Sequence, residues 1–213
     1  MRTIAILLVA AAIIAGCSRT GIKGDGVIKT ESRPLSDFSE LAVEGAYKIT
    51  WTTGKPALTI STDQNLLPLI KTTVSGNTLQ IHKEENLRPT KGITIVLSSP
   101  SLSDIKVTGA VMLTAEKLSG QALKLECEGA SQIRVAGSVT NLEANLTGAS
   151  KLDADSLQTQ TATLSLDGAS YGNITVTETL SASISGAGML TYSGNPKSVE
   201  KNVSGAGSIR PAR

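Results

Sequence analysis

The sequence predicts an all-β chain wound as a single-stranded, right-handed parallel β-helix with coils of about 20 residues. Three observations predict it. One short phrase recurs six times between Ile105 and Ser208: apolar, any, apolar, small polar or acidic, Gly, Ala, small. It reads IKVTGAV at 105–111, LECEGAS at 125–131, ANLTGAS at 144–150, LSLDGAS at 164–170, ASISGAG at 182–188 and KNVSGAG at 201–207. Its Gly falls at 109, 129, 148, 168, 186 and 205, in steps of 20, 19, 20, 18 and 19. Within each copy the apolar residues alternate with Thr, Ser, Lys, Glu, Gln and Asn, which is strand periodicity with a wet outer face.

A unit of about 20 residues holds two or three short strands and cannot bury its apolar side alone. Stacked coils bury it, with equivalent strands pairing in parallel about 4.8 Å apart. Val107, Cys127, Leu146, Leu166, Ile184 and Val203 then form an inward column. The Gly predicts a bend within the strand run, and the Ala after it a corner with a small inward side chain. Ala110, Ala130, Ala149, Ala169, Ala187 and Ala206 are therefore expected as a second inward column, beside a hydroxyl ladder of Ser131, Ser150 and Ser170. The right hand follows from the bias of parallel crossovers. The variable step, without a six-residue sub-period, also argues against the left-handed form.

The chain begins MRTIAILLVAAAIIAGC: one Arg, an apolar run from Ile4 to Ala15, then small residues before Cys17. The run is too short to span a bilayer comfortably and has the build of a secretory signal. Ile14-Ala15-Gly16-Cys17 resembles a bacterial lipobox, in which the signal is cut before the Cys and its thiol takes lipid. Residues 1–17 are thus read as a lipoprotein signal ending at the lipidated Cys17, 18–27 as a flexible Gly-rich tether, and 28–213 as the β-helix head. The partner this implies is a membrane, held through acyl chains rather than spanned. Ser18 after the Cys points to the outer membrane, on either its periplasmic or its outer side.

From Val27 to Pro100 the repeat is fainter. LAVEGAYKI at 41–49 matches the phrase with Gly45 in the Gly slot, and the 64 residues to Gly109 leave room for about three repeats with insertions. Strands are predicted at Ala42–Thr50, Leu58–Ser61, Thr78–His82 and Ile93–Leu97, separated by turn chemistry in TTGKP, SGN and ENLRPTKG. NLLPLIK at 65–71 reads as a helical turn or a loop capping a coil end. A solenoid needs its ends covered; this half supplies one cover and the Arg210-Pro211-Ala212-Arg213 tail the other.

Formal charge is +2, with Arg2 of the signal included, and only five aromatics are present. No basic cluster or stacking platform indicates nucleic acid. Apart from Cys17, Cys127 is the one cysteine; it sits in the inward column and reads as a small core residue. His82, the single histidine, lies at a strand end with no companion ligands, so no metal or other cofactor is implied. GAGSIR at 205–210 is a repeat phrase rather than a phosphate loop, and no hydrolase elbow or triad can be assembled.

The residues before each Gly are Glu44, Thr108, Glu128, Thr147, Asp167, Ser185 and Ser204. Stacked, they make a polar column, and Glu128, Thr147 and Asp167 are its centre and the candidate ligand face. Glu128 and Asp167 would stand two coils apart, about 9.6 Å by backbone spacing. That lies near the wide limit for an inverting carboxylate pair, so a polysaccharide-active enzyme is the alternative reading. The absence of a flanking cationic ladder and of sugar-stacking aromatics favours a non-enzymatic module that presents a polar face for adhesion or protein or glycan binding.

The pieces F-x-x-L-x-V-x-G at 38–45, D-x-N-L-L-P-L-I at 63–70, G-N-T-L-Q-I at 76–81 and P-S-L-x-x-I-x-V-x-G at 100–109, with the serial GAS and GAG phrases, resemble a bacterial family. It is the family described as "putative auto-transporter adhesin, head GIN domain". The resemblance implies a right-handed β-helix, frequent lipoprotein anchoring in Gram-negative envelopes, and no catalytic residues to carry over.

Overall fold

The computed structural model describes residues 21–212; the expected signal, the expected lipidation site Cys17 and residues 18–20 lie outside them. The described chain is a β-solenoid of about five turns. Its regular part winds through Asp104–Gly109, Met112–Gly129, Gln132–Gly148, Lys151–Gly168 and Tyr171–Gly186, each pairing in parallel with the next. It finishes on Met189–Ser193, Ser198–Gly205 and Ser208–Pro211. The recurring phrase falls in register throughout: Gly109 opposes Gly129, Gly129 opposes Gly148, Gly148 opposes Gly168, Gly168 opposes Gly186 and Gly186 opposes Gly205.

The Gly ladder is a consequence of close packing. The carbonyl of Gly129 accepts from Ala149 N at 2.8 Å, and that of Gly148 from Ala169 N at 2.8 Å. A Cβ on Gly148 would stand 2.6 Å from the Gly129 oxygen, and φ there is +91°. Only a residue without a Cβ tolerates both conditions.

The inward column of Val107, Cys127, Leu146, Leu166 and Ile184 is buried as expected, while Val203 in the terminal coil is exposed. The alanine column is a correction. Ala110, Ala130, Ala149, Ala169, Ala187 and Ala206 all face solvent. Gly in its left-handed conformation turns the chain and shifts the in–out alternation by one residue, so the inward slot falls one position later. That slot holds Tyr47, Val111, Ser131, Ser150, Ser170 and Gly188, all buried. Ser150 and Ser170 donate to the carbonyls of Thr147 and Asp167 at 3.2 and 3.1 Å, and Ser131 to that of Gly109 at 3.1 Å. A buried hydroxyl needs such an acceptor, and the corner supplies it.

Unequal coil lengths are absorbed at a second bend. The register shifts between Ala115 and Leu118, between Arg134 and Gly137, and between Ala154 and Gln158, the last followed by a second shift between Thr159 and Thr161. The phrase itself stays aligned because these irregularities take up each coil's surplus or deficit.

The N-terminal half departs from the expected three repeats. Glu40–Gly45 pairs directly with Asp104–Gly109, so Gly45 and Gly109 are neighbouring rungs despite 64 intervening residues. Lys48–Thr53 pairs likewise with residues 112–115. The intervening chain descends past this coil and adds one more below it: Thr78–Lys83 under Glu40–Gly45, and Thr94–Ser99 under Lys48–Thr53. Two antiparallel layers then close the end, Ile70–Ser75 on Thr78–Lys83, and Ala57–Asp63 with Ile28–Arg33 on Thr94–Ser99. The segment 65–71 is largely a 3₁₀ turn, Gln64–Leu69, with Leu66 and Leu67 buried.

Arg33 fastens this cap. It donates to the carbonyls of Ile70 at 2.6 Å and Leu67 at 2.8 Å, and pairs with Glu31 at 2.6 Å. Residues 21–27, expected as part of the tether, run against the cap. Ile22–Lys23 pairs with Leu87–Arg88, and Gly26 N donates to Asp63 Oδ1 at 2.8 Å. Phe38, Tyr47 and Trp51 are buried in this half, Trp51 donating Nε1 to Ser99 Oγ at 2.9 Å.

Candidate binding face

Strand alternation makes the outer side of one sheet polar, interrupted at Ala42. Eight parallel strands contribute: Thr78–Lys83, Glu40–Gly45, Asp104–Gly109, then the second halves of the four long strands, and Ser198–Gly205. The column just before the Gly ladder forms as the repeat requires. Glu44 opposes Thr108, Thr108 opposes Glu128, Glu128 opposes Thr147, Thr147 opposes Asp167, and Asp167 opposes Ser185. Glu128, Thr147 and Asp167 are exposed.

Two further columns run parallel to it. One carries Lys106, Glu126, Asn145, Ser165 and Ser183; the other Asp104, Lys124, Glu143, Thr163 and Ser181. They were readable as the residues two and four positions before the phrase's small polar slot, but only once the register is known. Charge is organised across them: Glu126 pairs with Lys124 at 2.7 Å and Lys106 at 3.0 Å. Hydrogen bonds from those two ammonium groups hold the Glu126 carboxyl below its usual range. Burial pushes the Asp104 carboxyl up, against the opposing pull of Lys124. Toward the uncharged coils the face becomes a hydroxyl surface, where Ser183 donates to Ser165 at 3.4 Å.

The relief of the face is shallow. One depression, roughly 270 Å³, is lined by Lys106, Thr108, Glu126, Glu128, Asn145 and Thr147, and does not reach Asp167. A second lies beside it, where His82 meets Glu44, Lys106 and Thr108. Glu128 and Asp167 thus stand on an open sheet rather than across a cleft. Burial pushes the Cys127 thiol up to about 12, so it is an inert core group. Among the described residues no group of three or more His, Cys, Asp or Glu is placed to hold a metal, and no helix is long and apolar enough to cross a membrane.

This geometry defines a class: a parallel β-solenoid that offers a flat, polar, multi-strand face. The sequence profile of the family described as "putative auto-transporter adhesin, head GIN domain" matches residues 37–196, and the chain belongs to that family. Solved structures share the fold. A putative adhesin from Bacteroides fragilis aligns with a TM-score of 0.75 at 22% identity, covering 90% of this chain and 100% of that one. A putative adhesin from Parabacteroides merdae aligns with a TM-score of 0.57 at 18% identity, covering 90% and 99%. A putative lipid binding protein from Parabacteroides distasonis gives a TM-score of 0.52 at 22% identity, again covering 90% and 99%. No curated protein matches the chain.

Proposed function

We propose that this chain is a non-enzymatic cell-envelope module, lipid-anchored through Cys17, that presents its polar face to a protein or glycan partner. One observation carries the reading: five successive strands, from Asp104–Gly109 to the end of Tyr171–Gly186, turn three columns of Asp, Glu, Lys, Asn, Thr and Ser outward on one face, with Glu128, Thr147 and Asp167 in the middle rungs. A flat polar sheet offers many weak, in-register hydrogen bonds to an extended partner, whereas catalysis needs groups converging on one enclosed atom. The family's adhesin description supports this reading and an envelope or surface location. The lipobox and Ser18 favour the outer membrane. The alternative of a polysaccharide-active enzyme, using Glu128 and Asp167, draws no support from an open face.

The test is direct. Intact cells are probed for protease or biotin access, and purified protein is screened against glycans and matrix proteins. The expected result is a ligand lost on Glu128→Arg with Asp167→Arg while the denaturation midpoint is unchanged. Absence of both exposure and ligand would overturn the adhesive reading. Glycan cleavage abolished by Glu128→Gln with Asp167→Asn would replace it with the enzymatic one.

A further inference from the structure

The two ends of the solenoid differ, and the chain enters at only one of them. Ile22–Lys23 is fixed to Leu87–Arg88 at the cap by Ile22 N donating to Asn86 O at 2.8 Å and Gly24 N to Arg88 O at 3.0 Å. Between Cys17 and Gly21 lie three residues, and four extended steps reach at most about 14 Å. The eight-strand face measures seven strand spacings, about 34 Å from cap to open end. Lipid on Cys17 can therefore lie near the cap but cannot lie near the last coil.

The cap segment beside this entry concentrates three of the eight exposed large apolar side chains among the described residues. Ile22, Val27 and Ile28 are 39%, 52% and 38% exposed, three large apolar side chains within seven residues. Lys23 and Lys29 are exposed on the same segment, while the Asp25 carboxylate is turned back to accept from Val27 N at 2.9 Å. Among the described residues Ile28–Arg33 pairs with Ala57–Asp63 alone, on one edge. Apolar side chains next to cations match the boundary between acyl chains and anionic headgroups.

We infer that the cap is a membrane-facing surface: Ile22, Val27 and Ile28 rest in the lipid boundary, Lys23 and Lys29 meet anionic headgroups, and the solenoid axis points away from the bilayer. This rests on the lipid-anchor reading and extends it. The polar face and the open C-terminal coil are thereby held off the lipid, where a partner can reach them.

The experiment uses the full lipidated chain reconstituted in vesicles of phosphatidylethanolamine and phosphatidylglycerol doped with bromine-labelled lipid. Single cysteines at Val27→Cys, Met112→Cys and Val203→Cys carry an environment-sensitive fluorophore; the buried Cys127 does not compete for label in the folded state. Ile28→Cys stands in for Val27→Cys if that variant folds poorly. The expected result is blue-shifted, bromine-quenched emission at position 27 and unquenched emission at 112 and 203. Equal quenching at all three, or quenching confined to 112 or 203, overturns the orientation; so does a shielded but unquenched position 27, which would mark a protein contact instead. Cell fractionation separates the two readings. If the membrane-extracted chain carries no acyl groups on an N-terminal Cys17 by mass spectrometry, or the native chain is not membrane-bound, the anchor reading itself falls and the orientation with it. If Cys17 is acylated but position 27 is unquenched, only the orientation fails.

Discussion

Gly148 stands at φ +91° with the Gly129 carbonyl 2.6 Å from where a Cβ would sit. Gly148→Val should lower stability by more than the roughly 1–2 kcal/mol of a left-handed L-residue, because the clash with backbone adds to it. A urea midpoint shift of the purified variant measures this. Leu166, 1% exposed and stacked between Leu146 and Ile184, fills space that neighbouring coils cannot close; Leu166→Ala should cost about 2–5 kcal/mol in the same assay. Asp63 gives a pH signature. Burial alone would raise its carboxyl, but hydrogen bonds from the Thr90 side chain and backbone and from Gly26 N outweigh that and hold it below the usual range. The folded state thus favours the ionised form. Its contribution is present above the ordinary carboxylate range and is lost as pH falls below about 4. Stability measured against pH should show an acid limb that Asp63→Asn flattens. At this scale the sequence was legible where offsets are constant, as with Glu128, Thr147 and Asp167. It misled at Ala130, because period-two counting does not include a glycine that turns the chain and shifts the alternation by one.

Strands with an inner and an outer side announce themselves; strands without one do not. Ala57–Asp63 and Thr78–Lys83 bury alternate residues and were anticipated within a residue or two. Ile28–Arg33, reading IKTESR, is largely solvated on both sides, so it carries no alternation to detect. Its antiparallel direction, like that of Ile70–Ser75, is a property of pairing rather than of composition. The terminal strand Ser198–Gly205 poses the opposite problem, since it exposes an edge with Val199 and Val203 on it. Here Lys201 replaces the leading apolar residue of the phrase. Its Nζ lies 4.9 Å from the Tyr192 ring centroid and donates to Ile209 O at 3.3 Å, so a charge spans the open end. An inward-pointing charge on an edge strand discourages further strand addition. Lys201→Val should therefore promote end-to-end association, seen as concentration-dependent growth in light scattering, whereas the native chain and Lys201→Arg should not associate.

On the scale of the molecule, the repeat revealed a stacked cylinder but not the route by which the chain builds it. The 64 residues between Gly45 and Gly109 suggest about three more coils when sequence distance is equated with axial distance. In fact the chain leaves the Glu40–Gly45 rung, forms a lower coil and two antiparallel covers, and returns directly above. Long-range pairing of that kind leaves no local mark. The most direct test of the stacking is a set of spin-label distances along the column before the Gly ladder. Labels at Glu44, Thr108, Glu128, Asp167 and Ser185, each paired with one at Ser204, should give separations growing by about 4.8 Å per rung. The 44–204 distance should exceed the 108–204 distance by a single rung despite 64 residues between 44 and 108. Separations that do not increase linearly with rung number, or a 44–108 offset of three rungs, would contradict the account.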